Sequence, residues 1–416
     1  MRKLLCTVLS SLIVLLLAFS SRPRAAAMAV PAAREDPRLG RALVFPGGGF
    51  QFAIFLGMLD ALEAHGERPD LVIGTCGGAV AAAIATTIGS SAERRAFVES
   101  YEFFQILRSA AVRDAGLPRV LARLWDLNRP PYFASGLPNV FTDTLVYVPP
   151  RLPTPQLDKP FGASGIRAVI VAARVGFQPA DVGMRWNGQK LYQQVFFTDP
   201  DTARSLRGFE SPIARLFPDS AVSSETDVIP GLRPSVASRM GITDPFYVNP
   251  VLLEDGHYYL TGAIDLYPVE TAQRLAKSVL MPFRSGFKSF VERKAVQNTF
   301  GYDNNTRLRY ITSGFTARWI DTSDVERLYD RHGFDPRFHL WSLSVKSGVP
   351  ESYERYRQGV RAQWEYGRAR ASEALKQPEN SNAHIRVMDD SNTTRELRCR
   401  LGRENCQEPF PPGPNT

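Results

Sequence analysis

Three observations predict an α/β fold with a largely parallel central sheet. From Arg41 to about Leu275, short apolar runs alternate with amphipathic segments. Ala168 to Ala173 is a continuous apolar run, suited to a central strand and too short for an independent helix. Two of the apolar runs end in glycine-rich turns that lead directly into helical segments. Strand, turn and helix in repeated succession bury a parallel sheet under helices.

Arg41 to Phe45 reads as a buried strand, followed by the turn Pro46-Gly47-Gly48-Gly49 and an apolar helix through Ala64. Asp70 to Gly74 is a second strand, which runs through Thr75-Cys76-Gly77-Gly78 into a helix over Ala79 to Thr87. Glu99 to Gly165 holds many aromatic residues and the Pro-rich stretches Arg129-Pro130-Pro131 and Pro149 to Pro155. Such a segment is either a cover for a site or a long surface insertion. From Ala276 to Lys376 arginine and aromatic residues dominate, and Tyr353, Tyr356, Val360, Trp364, Gly367 and Ala371 recur at helical spacing, so a mostly helical basic extension is expected. Residues 377–416, rich in Pro, Asn, Ser and charge, read as a flexible tail.

The chain has 416 residues, a formal net charge of +8, 44% hydrophobic and 22% charged residues, which excludes a disordered or collagen-like protein. Met1-Arg2-Lys3, the apolar-rich run Leu4 to Phe19, and Ala25 to Ala27 form a basic start, an apolar run and a small-residue cleavage region. Residues 1–27 are therefore expected to be a secretory signal, or else a membrane anchor flanked by Arg22 and Arg24, which makes the protein periplasmic, secreted or anchored. The surplus charge is uneven: 41–275 sums to −2 and 276–376 to +7. Of the four cysteines, Cys6 lies in the lead segment, Cys399 and Cys406 form either a small disulfide loop or two free thiols, and Cys76 stands alone.

Gly74-Thr75-Cys76-Gly77-Gly78 is the most informative stretch. A turn of the form G-x-nucleophile-x-G needs small flanking residues because a sharp strand-to-helix bend presses backbones together and pushes the nucleophile outward. The following helix N-terminus favours an anion there, and thiolate is the reactive form of cysteine. The alternative is a small buried thiol on a tight turn. Upstream, Gly47, Gly48 and Gly49 form a second turn whose backbone N–H groups can serve as an oxyanion hole. It lacks the lysine of a phosphate-binding loop, and Phe52 stands where a dinucleotide fingerprint wants glycine.

With these motifs in this order, the chain resembles the patatin-like phospholipase family over about residues 41 to 275. The resemblance rests on Gly47-Gly48-Gly49, the Cys76 turn, the block from Ser235-Val236-Ala237-Ser238 to Pro250, and Tyr258-Tyr259-Leu260-Thr261-Gly262-Ala263 leading to Asp265-Leu266-Tyr267-Pro268. It implies a three-layer α/β/α fold and a Ser-Asp dyad that hydrolyses lipid acyl esters. Cys76 stands at the serine position and Thr261 at the aspartate position, while Gln51 and Phe52 replace the family's basic residue and glycine.

A thiolate attacks carbonyls well, so the first change alone need not abolish acyl transfer. Thr261 is more serious, because a hydroxyl cannot accept a proton near neutral pH. His257 lies too far along an extended strand to replace the missing base. Asp265 is the nearest following carboxylate; it either substitutes as base or, as is expected, stabilises its own loop.

The leading expectation is an exported patatin-like protein that keeps a lipid or acyl-chain pocket but has lost efficient hydrolysis. The alternatives are an active thiol-dependent phospholipase or acyltransferase using Cys76, and a non-catalytic interaction scaffold. The expected partner is a lipid or acyl ester; no metal, cofactor or nucleic acid is expected. Arg355, Arg357, Arg361, Arg368 and Arg370 form either the solvated face of a packed helix or a contact for an anionic membrane. Asn304-Asn305-Thr306 and Asn392-Thr393-Thr394 match the glycosylation acceptor pattern.

Overall fold

Both predicted strand-turn-helix units form. In the computed structural model, β1 (Leu39–Phe45) leads into α1 (Phe52–Ala64), and β2 (Leu71–Gly74) into α2 (Gly77–Thr87). The structure describes residues 36–109, 111–112, 136–142, 144, 146–150, 154–244, 248–284, 296–314, 317–325, 327–329, 338–339, 344–345 and 349–377. Residues 1–27, the cysteines at 399 and 406, the acceptor site at 392–394 and nearly all of the tail lie outside that set.

After α3 (Ser91–Val98) and α4 (Tyr101–Ser109) come β3 (Arg167–Val175), β4 (Tyr192–Thr198) and β5 (Val222–Pro230). They are followed by α5 (Pro234–Gly241), the hairpin β6 (Val251–Leu252) and β7 (Tyr258–Leu260), and α6 (Val269–Leu275). The last elements used here are β8 (Ala276–Phe283), α7 (Asn304–Gly314), β9 (Arg318–Asp321) and α8 (Tyr353–Leu375).

The main sheet has nine strands in the order β9-β8-β1-β2-β3-β4-β5, with β7 on β3 and β6 on β7. Neighbours from β9 to β3 are parallel, as are β4 and β5, while β3 runs antiparallel to β4 and β7. Alternate residues of each strand enter different cores. Ala42, Val44, Ile73, Val169 and Val171 pack on one side, and Leu43, Phe45, Val72, Ala168 and Ile170 on the other. Side chains that alternate across a pleated strand explain why these strands read as unbroken apolar runs: both faces are covered. The first core takes in Val269, Ala272, Leu308 and Ile311 from α6 and α7; the second takes in α1, α2 and the apolar stripe of α8. That is the three-layer α/β/α arrangement the resemblance implies.

The segment after residue 275 differs from the expected helical extension. A helical C-terminal segment is present as α8, but β8 pairs in parallel with β1, Leu39 opposite Ala276, and β9 pairs with β8. The sheet therefore crosses the expected boundary at 275. α8 buries Tyr356, Val360, Trp364, Gly367 and Ala371 against α1. A Cβ on Gly57 would lie 2.1 Å from the Trp364 carbonyl oxygen, and one on Gly367 2.0 Å from that of Ile54. The two helices touch backbone to backbone, which only glycine permits.

Arginines of α8 meet carboxylates of the same chain: Arg357 and Arg361 pair with Glu99, Arg368 with Asp60, and Arg370 with Asp324. Trp364 Nε1 also donates to Asp60, at 3.1 Å. Most of the helix's basic face thus docks it to the domain. No helix of the described residues is long and apolar enough to cross a membrane. Asn304, the acceptor of the first glycosylation sequon, is buried at the start of α7, so the folded chain does not present it.

Candidate active site

Phe45 lies beside Gly74 in the β1–β2 register, so both glycine turns emerge at the same end of the sheet. The Thr75 N–H donates to the Phe45 carbonyl at 3.1 Å, and Cys76 then takes φ +50° and ψ −127°. It is the one non-glycine residue with positive φ among the described residues. Holding a side-chain-bearing residue there costs on the order of 1–3 kcal/mol, so the surrounding backbone must enforce it. A Cβ on Gly77 would come within 1.7 Å of the Gly49 carbonyl oxygen, and one on Gly78 within 2.0 Å of that of Phe45. This is the tight elbow expected from the sequence, with Cys76 as the N-cap of α2.

The Cys76 side chain is 7% exposed. Burial pushes its thiol pKa well above the ordinary range and the Asp244 carboxylate adds to this, while the backbone N–H groups of Gly49, Gly77 and Gly48 pull it down. These glycines belong to the two turns that flank the thiol. Gly47, the first glycine of the predicted oxyanion set, is not one of them: its N–H donates to the Leu266 carbonyl at 3.2 Å. Its role is to fasten the turn that follows β7, and Gly77 takes its place as a donor.

Strand pairing explains how residues so far apart in sequence meet here. β2 and β7 share one edge of β3: Gly74 lies opposite Ile170, and Leu260 opposite Ala173. Because β7 runs antiparallel to β3, its end is aimed at the elbow. Thr261 and Gly262 therefore arrive beside Cys76, and the Thr75 hydroxyl donates to the Gly262 carbonyl at 2.5 Å.

Thr261 is fully buried, and its N–H donates to the Thr243 carbonyl at 2.9 Å. Its hydroxyl accepts the Ala263 N–H at 2.9 Å and donates to Asp244 Oδ1 at 2.8 Å, with the Gly241 carbonyl a longer alternative at 3.3 Å. Asp244 in turn faces the nucleophile: Cys76 Sγ lies 3.7 Å from Oδ2 and 3.8 Å from Oδ1. A carboxylate therefore occupies the space beside the thiol, delivered by the turn after α5 and not by the end of β7.

Asp265, the predicted substitute base, is turned elsewhere. It is completely buried and ion-paired to Arg307 at 3.3 Å; Arg307 also grips Glu270, at 2.5 and 2.6 Å. Burial raises the Asp265 pKa, and the Arg307 charge opposes that rise. The Tyr302 hydroxyl lies 3.1 Å from the carbonyls of both Ala263 and Ile264. Arg307 thus holds Asp265 and also donates to the Tyr267 carbonyl at 3.2 Å. His257 is not drawn into the site by any described hydrogen bond; its N–H donates to Asp255 at 2.9 Å. Gln51 folds back over Gly48, and Phe52 packs edge-on against Phe103 with centroids 5.3 Å apart. No group of three His, Cys, Asp or Glu able to hold a metal occurs among the described residues.

Sequence reasoning missed Asp244. Its available signal was its place in the block between Ser235 and Pro250, directly after the α5 helix and within the stretch that carries the family resemblance.

The family model described as patatin-like phospholipase matches residues 43–272. No curated protein matches the chain. The crystal structure of VipD from Legionella pneumophila is similar over 81% of this chain and 67% of that one, at 11% identity and a TM-score of 0.32.

Proposed function

The chain belongs to the patatin-like phospholipase family, and from that premise we propose that it is a thiol-dependent lipid acyl hydrolase with Cys76 as nucleophile. The observation that carries the proposal is the strained Cys76 elbow, which holds Sγ 3.7 Å from the Asp244 carboxylate at the end of the sheet where both glycine turns emerge. Backbone donors fixed before reaction stabilise the charge that appears on a carbonyl oxygen during acyl transfer, and one such donor is typically worth about 10²–10³ in rate.

Attack by sulfur forms an S–C bond and moves the carbonyl π pair onto oxygen, where backbone N–H groups of the two glycine turns receive it. Collapse expels the alcohol of the lipid and leaves a thioester on Cys76, which water then hydrolyses. Lost turnover was the leading expectation because position 261 lacks a carboxylate; Asp244 supplies one from another segment, which favours the active reading. Export through residues 1–27 belongs to the same proposal, supported by the basic start, apolar run and small residues of that segment. Sequencing the mature N-terminus tests it.

The central test is fatty-acid release from phosphatidylcholine and phosphatidylglycerol vesicles and from p-nitrophenyl esters, with mass spectrometry of the trapped acyl adduct. Release with an acyl group on Cys76, both abolished in Cys76→Ala, is the expected result. Stoichiometric lipid binding without release or adduct would reject the hydrolase and leave a lipid-binding protein, the outcome favoured by the deep burial that opposes thiolate formation.

A further inference from the structure

We infer that Asp244 is the general base that takes the Cys76 proton, and that Thr261 has become the residue that positions it. The inference rests on the reading of Cys76 as an acyl-transfer nucleophile. It moves the acid of the dyad from the end of β7 to the turn after α5.

The two Asp244 oxygens are nearly equidistant from Sγ, so the carboxylate presents both to the sulfur. Catalytic contacts of this length tighten when substrate fills a site, so a separation of 3.7 Å is compatible with proton transfer. Thr261 cannot be the base, but its hydrogen bonds have a direction. Its oxygen is occupied by the Ala263 N–H, and of its two candidate acceptors Asp244 Oδ1 is much the closer, at 2.8 Å against 3.3 Å. The Thr261 N–H bonded to the Thr243 carbonyl ties the two segments together one residue before Asp244.

The turn that carries Asp244 is also clamped from its other side. Arg239, fully buried in α5, donates to Thr243 Oγ1 at 2.6 Å, to the carbonyls of Pro149 and Val148 at 2.8 and 2.9 Å, and to that of Asn249 at 3.0 Å. These bonds fix the chain on both sides of Asp244, so its carboxylate is held in place.

The sign of the charge distinguishes a base from a thiolate stabiliser. Cysteines that rest as thiolates sit beside cations or imidazolium, whereas a carboxylate makes the resting thiolate harder to form. Asp244 therefore acts during attack: it accepts the thiol proton as the S–C bond forms and returns it to the departing alcohol oxygen. In the second half it accepts a proton from the attacking water and gives it to the sulfur as the thioester C–S bond breaks. Each half-reaction leaves Asp244 as it began. Among the described residues, Asp265 pairs with Arg307, and Arg239 donates to the carbonyls it clamps.

The test compares two reactions of the same thiol in the full-length protein: the p-nitrophenolate burst from an acyl ester, and alkylation by iodoacetamide as a function of pH. Asp244→Asn is expected to slow the burst at least about 100-fold. The same variant should alkylate faster at pH 7, with the apparent thiol pKa lower by about one unit or more. A carboxylate with only a packing role would move both reactions the same way or neither. Thr261→Val should slow the burst about tenfold, and Thr261→Ser, which keeps the hydroxyl, should restore it. A burst within about threefold of wild type in Asp244→Asn, or an unshifted alkylation profile, overturns the inference. Alkylation of Cys76 without any burst or acyl adduct in the wild type would reject the hydrolase reading alone. The alkylation profiles of wild type and Asp244→Asn would then still decide whether Asp244 governs the thiol proton.

Discussion

Asp265 belongs to the turn that follows β7 and Asp244 contacts the start of that turn from another segment, and their surroundings give them opposite uses. Asp265 is completely buried and meets a guanidinium that also holds Glu270. Asp244 is half-buried and meets a hydroxyl and a thiol. The Arg307 guanidinium opposes the rise that burial imposes on the Asp265 pKa and ties that carboxylate down, whereas the Thr261 hydroxyl orients the Asp244 carboxylate beside the Cys76 sulfur. Proximity in sequence to the motif is thus a poor guide to which carboxylate does chemistry. The partner decides.

The largest effect that would sharpen this contrast is on stability. Arg307→Met leaves the buried Asp265 and the half-buried Glu270 without their cation and is expected to cost about 3–5 kcal/mol in chemical denaturation. Equal stability with wild type would break the claim that Asp265 is locked in a structural ion pair. Restoring the family's residue gives a smaller effect with a defined sign. Thr261→Asp sets a second carboxylate against Asp244 in place of a 2.8 Å hydrogen bond, and should destabilise by about 1–3 kcal/mol. Adding Asp244→Asn should recover most of that loss. If the double variant is no more stable than Thr261→Asp alone, the two positions do not share one space.

Asp244→Asn by itself keeps the shape of the side chain and should change stability by about 1 kcal/mol or less, even as it removes the burst. A cost as large as that of Arg307→Met would erase the distinction between the two carboxylates. The smallest effect concerns pH. Burial pushes the Glu99 pKa up, but Arg95 and Arg361 outweigh it and hold it below the usual range. A depressed folded-state value means the contribution is complete above the unfolded value, about 4.3, and is lost as pH falls through the lower folded value. Thermal melts between pH 5 and 3 should therefore show a modest loss that Glu99→Gln removes; no difference between the two proteins would place the acid sensitivity elsewhere.

Much of the fold was legible because its signals are local. The apolar runs of β1, β2 and β3 declare themselves by being buried on both faces, and the glycines at 47–49 and 74–78 by the close backbone approaches they allow. The α8 stripe at Tyr356, Val360, Trp364, Gly367 and Ala371 followed from helical periodicity alone. What stayed hidden depends on pairing between distant segments. Thr261 comes beside Cys76 because β7 runs antiparallel onto the edge of β3 that β2 vacates, and Asp244 because α5 packs against α2, where a Cβ on Gly241 would lie 2.5 Å from that of Ala79; no spacing within the chain announces either. β8 and β9 were hidden differently: their basic, aromatic-rich neighbourhood reads as a mostly helical extension, although Val279 to Phe283 is a buried strand segment of the sheet. The elbow was therefore found from the sequence, and its base was not.

The parallel pairing of β1 with β8 also bears on how the chain acquires its structure as it is made. β1 leaves the ribosome early, yet the neighbour on one of its edges, beginning at Ala276, is among the last strands synthesised. Until then that edge offers open hydrogen-bonding groups, the kind of surface that recruits other chains. Closing so long a loop is slow, so the nascent protein spends much of its synthesis as an incomplete sheet. A fragment ending at the family match, residue 272, would be fixed in that state, and its expected fate is aggregation.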